Sequence, residues 1–328
     1  MRPVLLVTGH APPDRALPFA RLHAREGIEL ALFGGRDRHG GAERPTPPVP
    51  HRHVDEREVH ALAASGRYRA VIASVGGRVA LPAAATGARR AGVPLLLWTA
   101  LWAHPRSVAH AASYLPTLAL LRSADAVITY GPHVSAYVRA RGARRVFEAP
   151  QAVDPAFWGA RAGAPRRLRA FQALFVGRAD PEKGRAVLER AWPEAVLVGD
   201  PPVSAEEVRN FLAGSDVLVI PSLRTPTFRE PWGLIANEAM HRGLPVIATD
   251  EVGAAAGGLV RHERNGLIVP AGDAAALRSA IARLRDDTEL RGRLGARAIV
   301  DVARYTPEAW AAGVSAALAS VGARAGDC

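Results

Sequence analysis

The sequence predicts an α/β protein made of two doubly wound parallel sheets, each with its own core. Three observations carry this. Apolar runs of strand length recur along the 328 residues, stretches of helical length separate most of them, and near mid-chain the pattern gives way to a Gly-, Pro- and Arg-rich segment before restarting. A parallel crossover needs a dozen or more residues, usually a helix, so this alternation selects parallel α/β units over hairpins. A chain of this length also exceeds what one core usually serves.

In the first half the strands are expected at 3–9 (PVLLVTG), 28–34 (IELALFG), 70–74 (AVIAS), 94–100 (PLLLWTA), 126–131 (AVITYG) and 145–149 (RVFEA). The Pro-rich stretch 36–53 interrupts them and reads as a surface loop. At 154–172 periodicity gives way to Gly, Pro and Arg, the composition of an interdomain linker. The boundary is therefore set at 165, with one domain over 1–165 and a second over 166–304. Strands resume at 173–178 (ALFVGR), 195–200 (AVLVGD), 217–222 (VLVIPS), 245–250 (PVIATD) and 266–272 (GLIVPAG). They are apolar throughout, as parallel strands covered on both faces should be. Ser204 with Glu207 three residues on forms a capping box for a helix over 204–215. The last segment, 305–328, opens with Thr306 as N-cap, Pro307 at the first helical position and Glu308 in the first turn. It is expected to be a helix, either packed on the second domain or crossing back to the first.

Composition excludes several classes. Apolar residues make up 48% of the chain, yet no run of 18 or more lacks a charge or a breaker, which argues against a membrane span. The opening apolar stretch is too short for a signal peptide, so a cytoplasmic protein is expected. Cys328 is the only cysteine, which leaves no disulfide framework and no cysteine metal cluster. Residues 1–165 carry 21 arginines against 11 acids, a net of +10, whereas residues 166–328 carry 21 basic groups against 20 acids. A one-sided basic field points to an anionic partner: a membrane surface, a phosphate-bearing acceptor or nucleic acid. An arginine-rich composition without purpose is the alternative.

The unusual residues follow the strands. In VGRADPEKGR (176–185), Gly177 lets the backbone turn, and Arg178 and Lys183 extend cations from a loop that leads into a helix, an arrangement suited to a diphosphate. Of 42 basic residues apart from histidine, 41 are arginine, and Lys183 is the one lysine. In TFREPWGLIANEAM (227–240), Glu230 and Glu238 stand on either side of a Pro-Trp-Gly turn and the opening of a helix. A helix N-terminus is a place for an anion, so acids around it need a reason.

These residues resemble the retaining glycosyltransferases of family 4. The resemblance covers the second domain almost throughout, in FVGRADPEKG, in DVLVIPSLRTPTFREPWGLIANEAMHRGLPVIATDEVG and in ERNGLIVPAGDAAALRSAIARLRDD, in order and at the expected spacing. It implies the GT-B architecture, two facing Rossmann-like domains with the site in the cleft between them, as the carboxyl ends of such sheets also suggest. Glu230 and Glu238 match the family's E-x7-E pair: Glu230 then meets donor-sugar hydroxyls and Glu238 the nucleotide ribose. The amides of Gly233, Leu234 and Ile235 would face the diphosphate, with Pro231 just ahead supplying a fixed φ. Glu238 would lie about 8 Å along the axis from the helix start. Arg178 and Lys183 would offset the charge of the leaving diphosphate. The chain contains no Asp-x-Asp triplet and no His/Cys cluster at metal spacing, so no metal and no other cofactor is expected.

The match thins in the first domain. VITYGPHVSAYVRARGARRVFEAPQAVD (127–154) looks like the family's acceptor half, but the Gly-Gly pair often seen after the first strand is replaced by TGHAPPDR (8–15). Gly9 and His10 are candidates to line the cleft there. The family histidine beyond the fourth strand is displaced to His104, with Trp98 and Trp102 nearby as sugar-stacking or core residues. The resemblance implies a hexose-like sugar moved from a nucleotide-sugar donor to a glycan, lipid-linked or small-molecule acceptor, and the basic charge of the first domain adds the expectation of an anionic or phosphate-bearing acceptor and of peripheral contact with the inner face of the membrane. The alternatives are an epimerase of the same architecture and a basic nucleic-acid-binding protein, though no nucleic-acid module is recognisable and no nucleic-acid partner is expected.

Overall fold

The computed structural model describes residues 2–34 and 46–325. The chain divides into two compact units, residues 1–152 with 307–328, and residues 153–306.

The first unit is a seven-stranded parallel sheet. Its strands are β1 (Val4–Thr8), β2 (Ile28–Leu32), β3 (His51–His53), β4 (Ala70–Ser74), β5 (Leu95–Thr99), β6 (Ala126–Thr129) and β7 (Val146–Glu148), in the spatial order β3-β2-β1-β4-β5-β6-β7. Alternation along each strand sends side chains to opposite faces and so builds two cores. Val4, Leu6, Ile28 and Leu30 face one layer, which includes Phe19 and Leu22 of the helix Ala16–Glu26. Leu5, Val7, Ala31 and Val71 face the other, with Val59, Ala84 and Val134 from the opposite helices. Arg69, buried in this unit, donates to Glu26 at 2.9 Å and to the carbonyl of Ala323 at 2.8 Å, which ties the chain end to the sheet.

β3 corrects the loop expected over 36–53. Its sequence is His-Arg-His, with no apolar run to announce it, and it forms an edge by pairing His51, Arg52 and His53 with Leu30, Ala31 and Leu32. Residues 36–45 of that expected loop lie outside the described residues.

The second unit is a five-stranded parallel sheet of β8 (Ala173–Val176), β9 (Val196–Val198), β10 (Val217–Ile220), β11 (Val246–Thr249) and β12 (Gly266–Val269), in the order β12-β11-β10-β8-β9. Phe175, Val217, Val219 and Ile247 pack beneath the helices Arg185–Ala191, Ala274–Asp286 and Thr288–Val302 through Leu188, Ile281 and Leu294. The capping box of Ser204 and Glu207 starts the helix Ala205–Ala213. The unit begins at Val153, ahead of the boundary set at 165. The Gly-, Pro- and Arg-rich stretch is not a free linker: Asp154 caps a short helix Pro155–Gly159, the Arg166 amide donates to Asn210 at 2.8 Å, and Arg167 pairs with Asp216 at 2.8 Å. Hydrogen bonds hold this stretch where its sequence lacks an apolar period.

The helix Pro307–Ala319 belongs to the first unit. Trp310 is fully buried there, edge-on to Phe19 and Trp98 with ring centroids 5.8 Å away in each case. Gly313 allows the close approach, since a Cβ would stand 2.2 Å from the carbonyl oxygen of Glu148.

Candidate functional site

In the second sheet the strand order reverses between β8 and β10, and such a switch point is where open α/β sheets place their ligands. Two loops leave the carboxyl ends there. After β8, Gly177 turns the chain, and a short turn Pro181–Lys183 leads to Gly184 at φ 71°. A Cβ on Gly184 would lie 1.9 Å from the carbonyl oxygen of Pro221, in the loop after β10, so only glycine permits this approach. The Leu223 amide then donates to the Glu182 carbonyl at 2.8 Å. Backbone thus laces the two loops together.

That lacing brings Lys183 to Glu230, with Nζ 2.6 Å from Oε2. Ser222, itself 1% exposed, donates its hydroxyl to the same oxygen at 3.2 Å, and Thr249 Oγ1 donates to the Ser222 carbonyl at 2.6 Å. Lys183 also lies over the Phe228 ring, 5.3 Å from its centroid. Glu230 is only 6% exposed, and a carboxylate so buried requires such partners.

The segment after β11 fixes the turn that follows Glu230. Glu230 forms a parallel bridge with Val252, the Gly253 amide donates to the Glu230 carbonyl at 3.1 Å, and the Ala254 amide donates to Trp232 at 2.7 Å. Gly253 has no room for a side chain, because a Cβ would meet the Pro231 carbonyl oxygen at 2.0 Å. Trp232 is buried and its indole donates to Asn237 Oδ1 at 2.7 Å, joining the turn to the helix Ile235–His241. Gly233 turns the chain at φ 84°, Leu234 is the cap, and the helix proper starts at Ile235. The amides of Gly233, Leu234 and Ile235 therefore stand at the helix start, where backbone donors have no intrahelical acceptor. Glu238 is the fourth helical residue and is half-buried.

Of the residues expected from sequence, Lys183, Glu230, Pro231, Gly233, Leu234, Ile235 and Glu238 thus gather around one switch point. Arg178 shares the β8 loop but is exposed and paired with Asp180 at 2.7 Å. Sequence reasoning passed over Ser222, Thr249, Gly184 and Gly253. All four lie inside the segments that carry the resemblance, but none is charged or belongs to the spaced pair of acids, so nothing in the sequence singled them out. An ammonium, a buried carboxylate and first-turn amides are together able to hold an anion with hydroxyls beside it.

The acceptor-side candidates are more dispersed. Gly9 and His10 follow β1, whereas Trp102 and His104 follow β5, and β4 stands between those strands. The Gly9 carbonyl accepts from the Gly34 amide at 2.6 Å. Trp102 is buried edge-on to His133, with centroids 5.0 Å apart, so it packs rather than presenting a face. Trp98 is likewise in the core. His104 Nε2 lies 2.7 Å from the His110 carbonyl and its ring meets Tyr114. A feature the sequence did not mark is Arg15, buried between Trp98 and Tyr130 and hydrogen-bonded to Gln151. Among the described residues no three His, Cys, Asp or Glu side chains gather as a metal set would, and no helix is long and apolar enough to cross a membrane.

Comparison with known proteins adds the family. Residues 161–287 match the family model described as glycosyl transferases group 1. The chain has the GT-B fold, and the stretch 161–287 of its second unit is similar to the glycosyl transferases group 1. All the donor-side candidates fall within the matched residues 161–287. The chain is 34% identical over 114 residues to a D-inositol 3-phosphate glycosyltransferase of Arthrobacter sp. (strain FB24), covering 34% of this chain and 25% of the relative. The lipopolysaccharide core biosynthesis glycosyltransferase LpsD of Rhizobium meliloti is 31% identical over 212 residues, 56% of this chain and 60% of LpsD. The chain thus spans about a quarter of the length of the inositol-phosphate relatives it matches. Among solved structures, Anabaena Alr3699/HepE, in complex with UDP and glucose, superposes with a TM-score of 0.76 at 17% identity, covering 98% of this chain and all of HepE. A sucrose-phosphate synthase of Thermosynechococcus elongatus does so with a TM-score of 0.73 at 20% identity, covering 96% and 97%.

Proposed function

We propose that the protein is a retaining glycosyltransferase that moves a hexose-like sugar from a nucleotide-sugar donor to an acceptor hydroxyl without a metal ion. The observation that carries this reading is the Lys183–Glu230 pair at the switch point of the second sheet, beside the helix that bears Glu238. In this reading the diphosphate lies against the amides of Gly233, Leu234 and Ile235, Glu230 holds sugar hydroxyls, and Glu238 accepts from the ribose. The bond from the anomeric carbon to the diphosphate oxygen breaks, and its electron pair leaves with the phosphate. The acceptor oxygen bonds to that carbon from the same face, and its proton passes to the departing phosphate oxygen. Lys183 and Arg178 meet the charge that grows there, which is the interaction that speeds a reaction of this kind.

HepE is solved with UDP and with UDP-glucose, which makes UDP-glucose the first donor to test. The excess of arginine over acid in residues 1–165 supports an anionic acceptor, and with it a peripheral place at the inner face of a membrane. The test is release of UDP from UDP-glucose with a panel of acceptors, in the presence and absence of a chelator. Release that requires an acceptor and is unchanged by the chelator is the expected result. Release that stops on chelation would overturn the metal-free mechanism, and isomerised donor without UDP release would make the protein an epimerase.

A further inference from the structure

The helix Val108–Ser123, between β5 and β6, turns Leu120 and Leu121 to the core but carries a further apolar stripe on its outer face. Ser107 caps it by accepting from the His110 amide, and Arg122 is its one Lys, Arg, Asp or Glu residue. Val108, Ala111, Ala112, Leu115, Pro116 and Ala119 are all exposed, Val108 by 91% and Leu115 by 69%. Their spacing of three and four residues puts them on one helical face. On the inner side Leu121 is buried in the core with Leu120 packed against it, and Ser113, Tyr114, Thr117 and Leu118 are half-buried. A soluble helix normally confines its apolar residues to the core side; here a second apolar stripe faces out.

The ends of this stripe are basic. Arg106, exposed, precedes it. At the other end Arg122 donates to the carbonyl of Arg141 at 3.3 Å, which sets the helix end against the segment Arg-Ala-Arg-Gly-Ala-Arg-Arg at 139–145. Arg122, Arg139, Arg144 and Arg145 are exposed there, and Arg141 stacks on Tyr137 at 3.6 Å. Ion pairs in the first unit engage Arg15, Arg21, Arg52, Arg67 and Arg69, and among the described residues none engages the five arginines at this helix end.

We infer that the helix Val108–Ser123 is a membrane-docking surface that lays its apolar stripe into an anionic lipid leaflet, with Arg106 and the arginines at 122 and 139–145 on the headgroups. An outward apolar stripe rimmed by cations is the pattern of an interfacial helix. The charge selects lipid over a second copy of the chain: a two-fold contact would bring like arginine clusters close, and six small residues fall far short of the roughly 20–30 a side of a stable protein interface. The inference deepens the membrane contact proposed above, but it is independent of sugar transfer because its test reads binding and not turnover.

The experiment is flotation of the full chain with vesicles of phosphatidylcholine alone, or of phosphatidylcholine and phosphatidylglycerol in equal parts. Binding is expected only to the anionic vesicles and to weaken with salt. Val108→Glu with Leu115→Glu should lower the bound fraction at least about tenfold, and Arg106→Glu with Arg144→Glu by a similar factor. All four positions are exposed, so thermal melting of both variants should match the unaltered protein, and a matched melting curve keeps the comparison interpretable. Absence of binding to anionic vesicles, or binding that neither pair of substitutions reduces, would overturn the inference. So would a concentration-dependent doubling of mass abolished by Val108→Glu with Leu115→Glu, which would assign the stripe to a second copy.

Discussion

At the scale of single residues, Lys183 joins the fold to the proposed chemistry. Its ammonium serves the buried carboxylate of Glu230 in the fold and, in the proposed reaction, the leaving diphosphate. Lys183→Arg keeps the charge but exchanges a compact group for a planar fork. Steady-state kinetics should show kcat lowered about ten- to a thousand-fold with donor KM less affected. Lys183→Ala leaves Glu230 buried without its cation, so calorimetry should show a loss of about 1–3 kcal/mol in stability as well. Unchanged kcat in Lys183→Arg would mean that any cation suffices. His241 supplies a second residue-scale prediction. Burial holds its pKa below the usual 6.5, against the opposing pull of Asp154, and its Nε2 is buried without a hydrogen-bond partner. Below about pH 6.5 the unfolded chain takes up a proton that the folded one resists, so His241 makes stability fall as pH drops through that value. Melting temperatures at about pH 7.5 and about pH 5.5 should differ less in His241→Gln than in the unaltered protein. Lys183 and Glu230 were legible in the sequence because one is the sole lysine and the other belongs to a spaced pair of acids. Ser222 and Thr249 were not, since a hydroxyl becomes functional only when the backbone of another strand brings it to a partner.

At the scale of elements, the donor-side turn is held by the segment after β11 more than by its own helix. Gly253→Ala would place a methyl 2.0 Å from the Pro231 carbonyl oxygen, on the atoms that keep Glu230 and Trp232 in place. The variant should fold with stability lowered by about 1–3 kcal/mol and should bind nucleotide sugar at least about tenfold more weakly, as titration calorimetry would show. Full donor affinity in this variant would show that the turn is positioned by other contacts. The same element scale explains what pattern reading could and could not reach. Eleven strands announced themselves as apolar runs, whereas β3 is paired entirely through backbone and its His-Arg-His sequence carries no period. The segment 154–172 looked like a linker for the converse reason: its order comes from Asp154, Arg166 and Arg167 hydrogen bonds, which composition does not reveal.

At the scale of the whole molecule, the first unit is completed by residues from the far end of the chain. Trp310 fills a space between Phe19 and Trp98 that no nearer segment supplies. Trp310→Ala should destabilise that unit by about 3–5 kcal/mol, visible as a separate, earlier transition in differential scanning calorimetry. In the other unit, the switch point is proposed to hold a nucleotide sugar in a fixed order along Glu238 and Glu230. Thermal shift with UDP and with UDP-glucose on the unaltered protein, Glu230→Ala and Glu238→Ala tests it most directly. A ligand at about a hundred times its dissociation constant stabilises a fold by about 2.7 kcal/mol, so each arm is readable. Both ligands should stabilise the unaltered protein, Glu238→Ala should lose the response to both, and Glu230→Ala should keep the response to UDP while losing the added response to UDP-glucose. Equal loss of the UDP response in the two variants, or no response to UDP or any other nucleoside diphosphate in the unaltered protein, would contradict it.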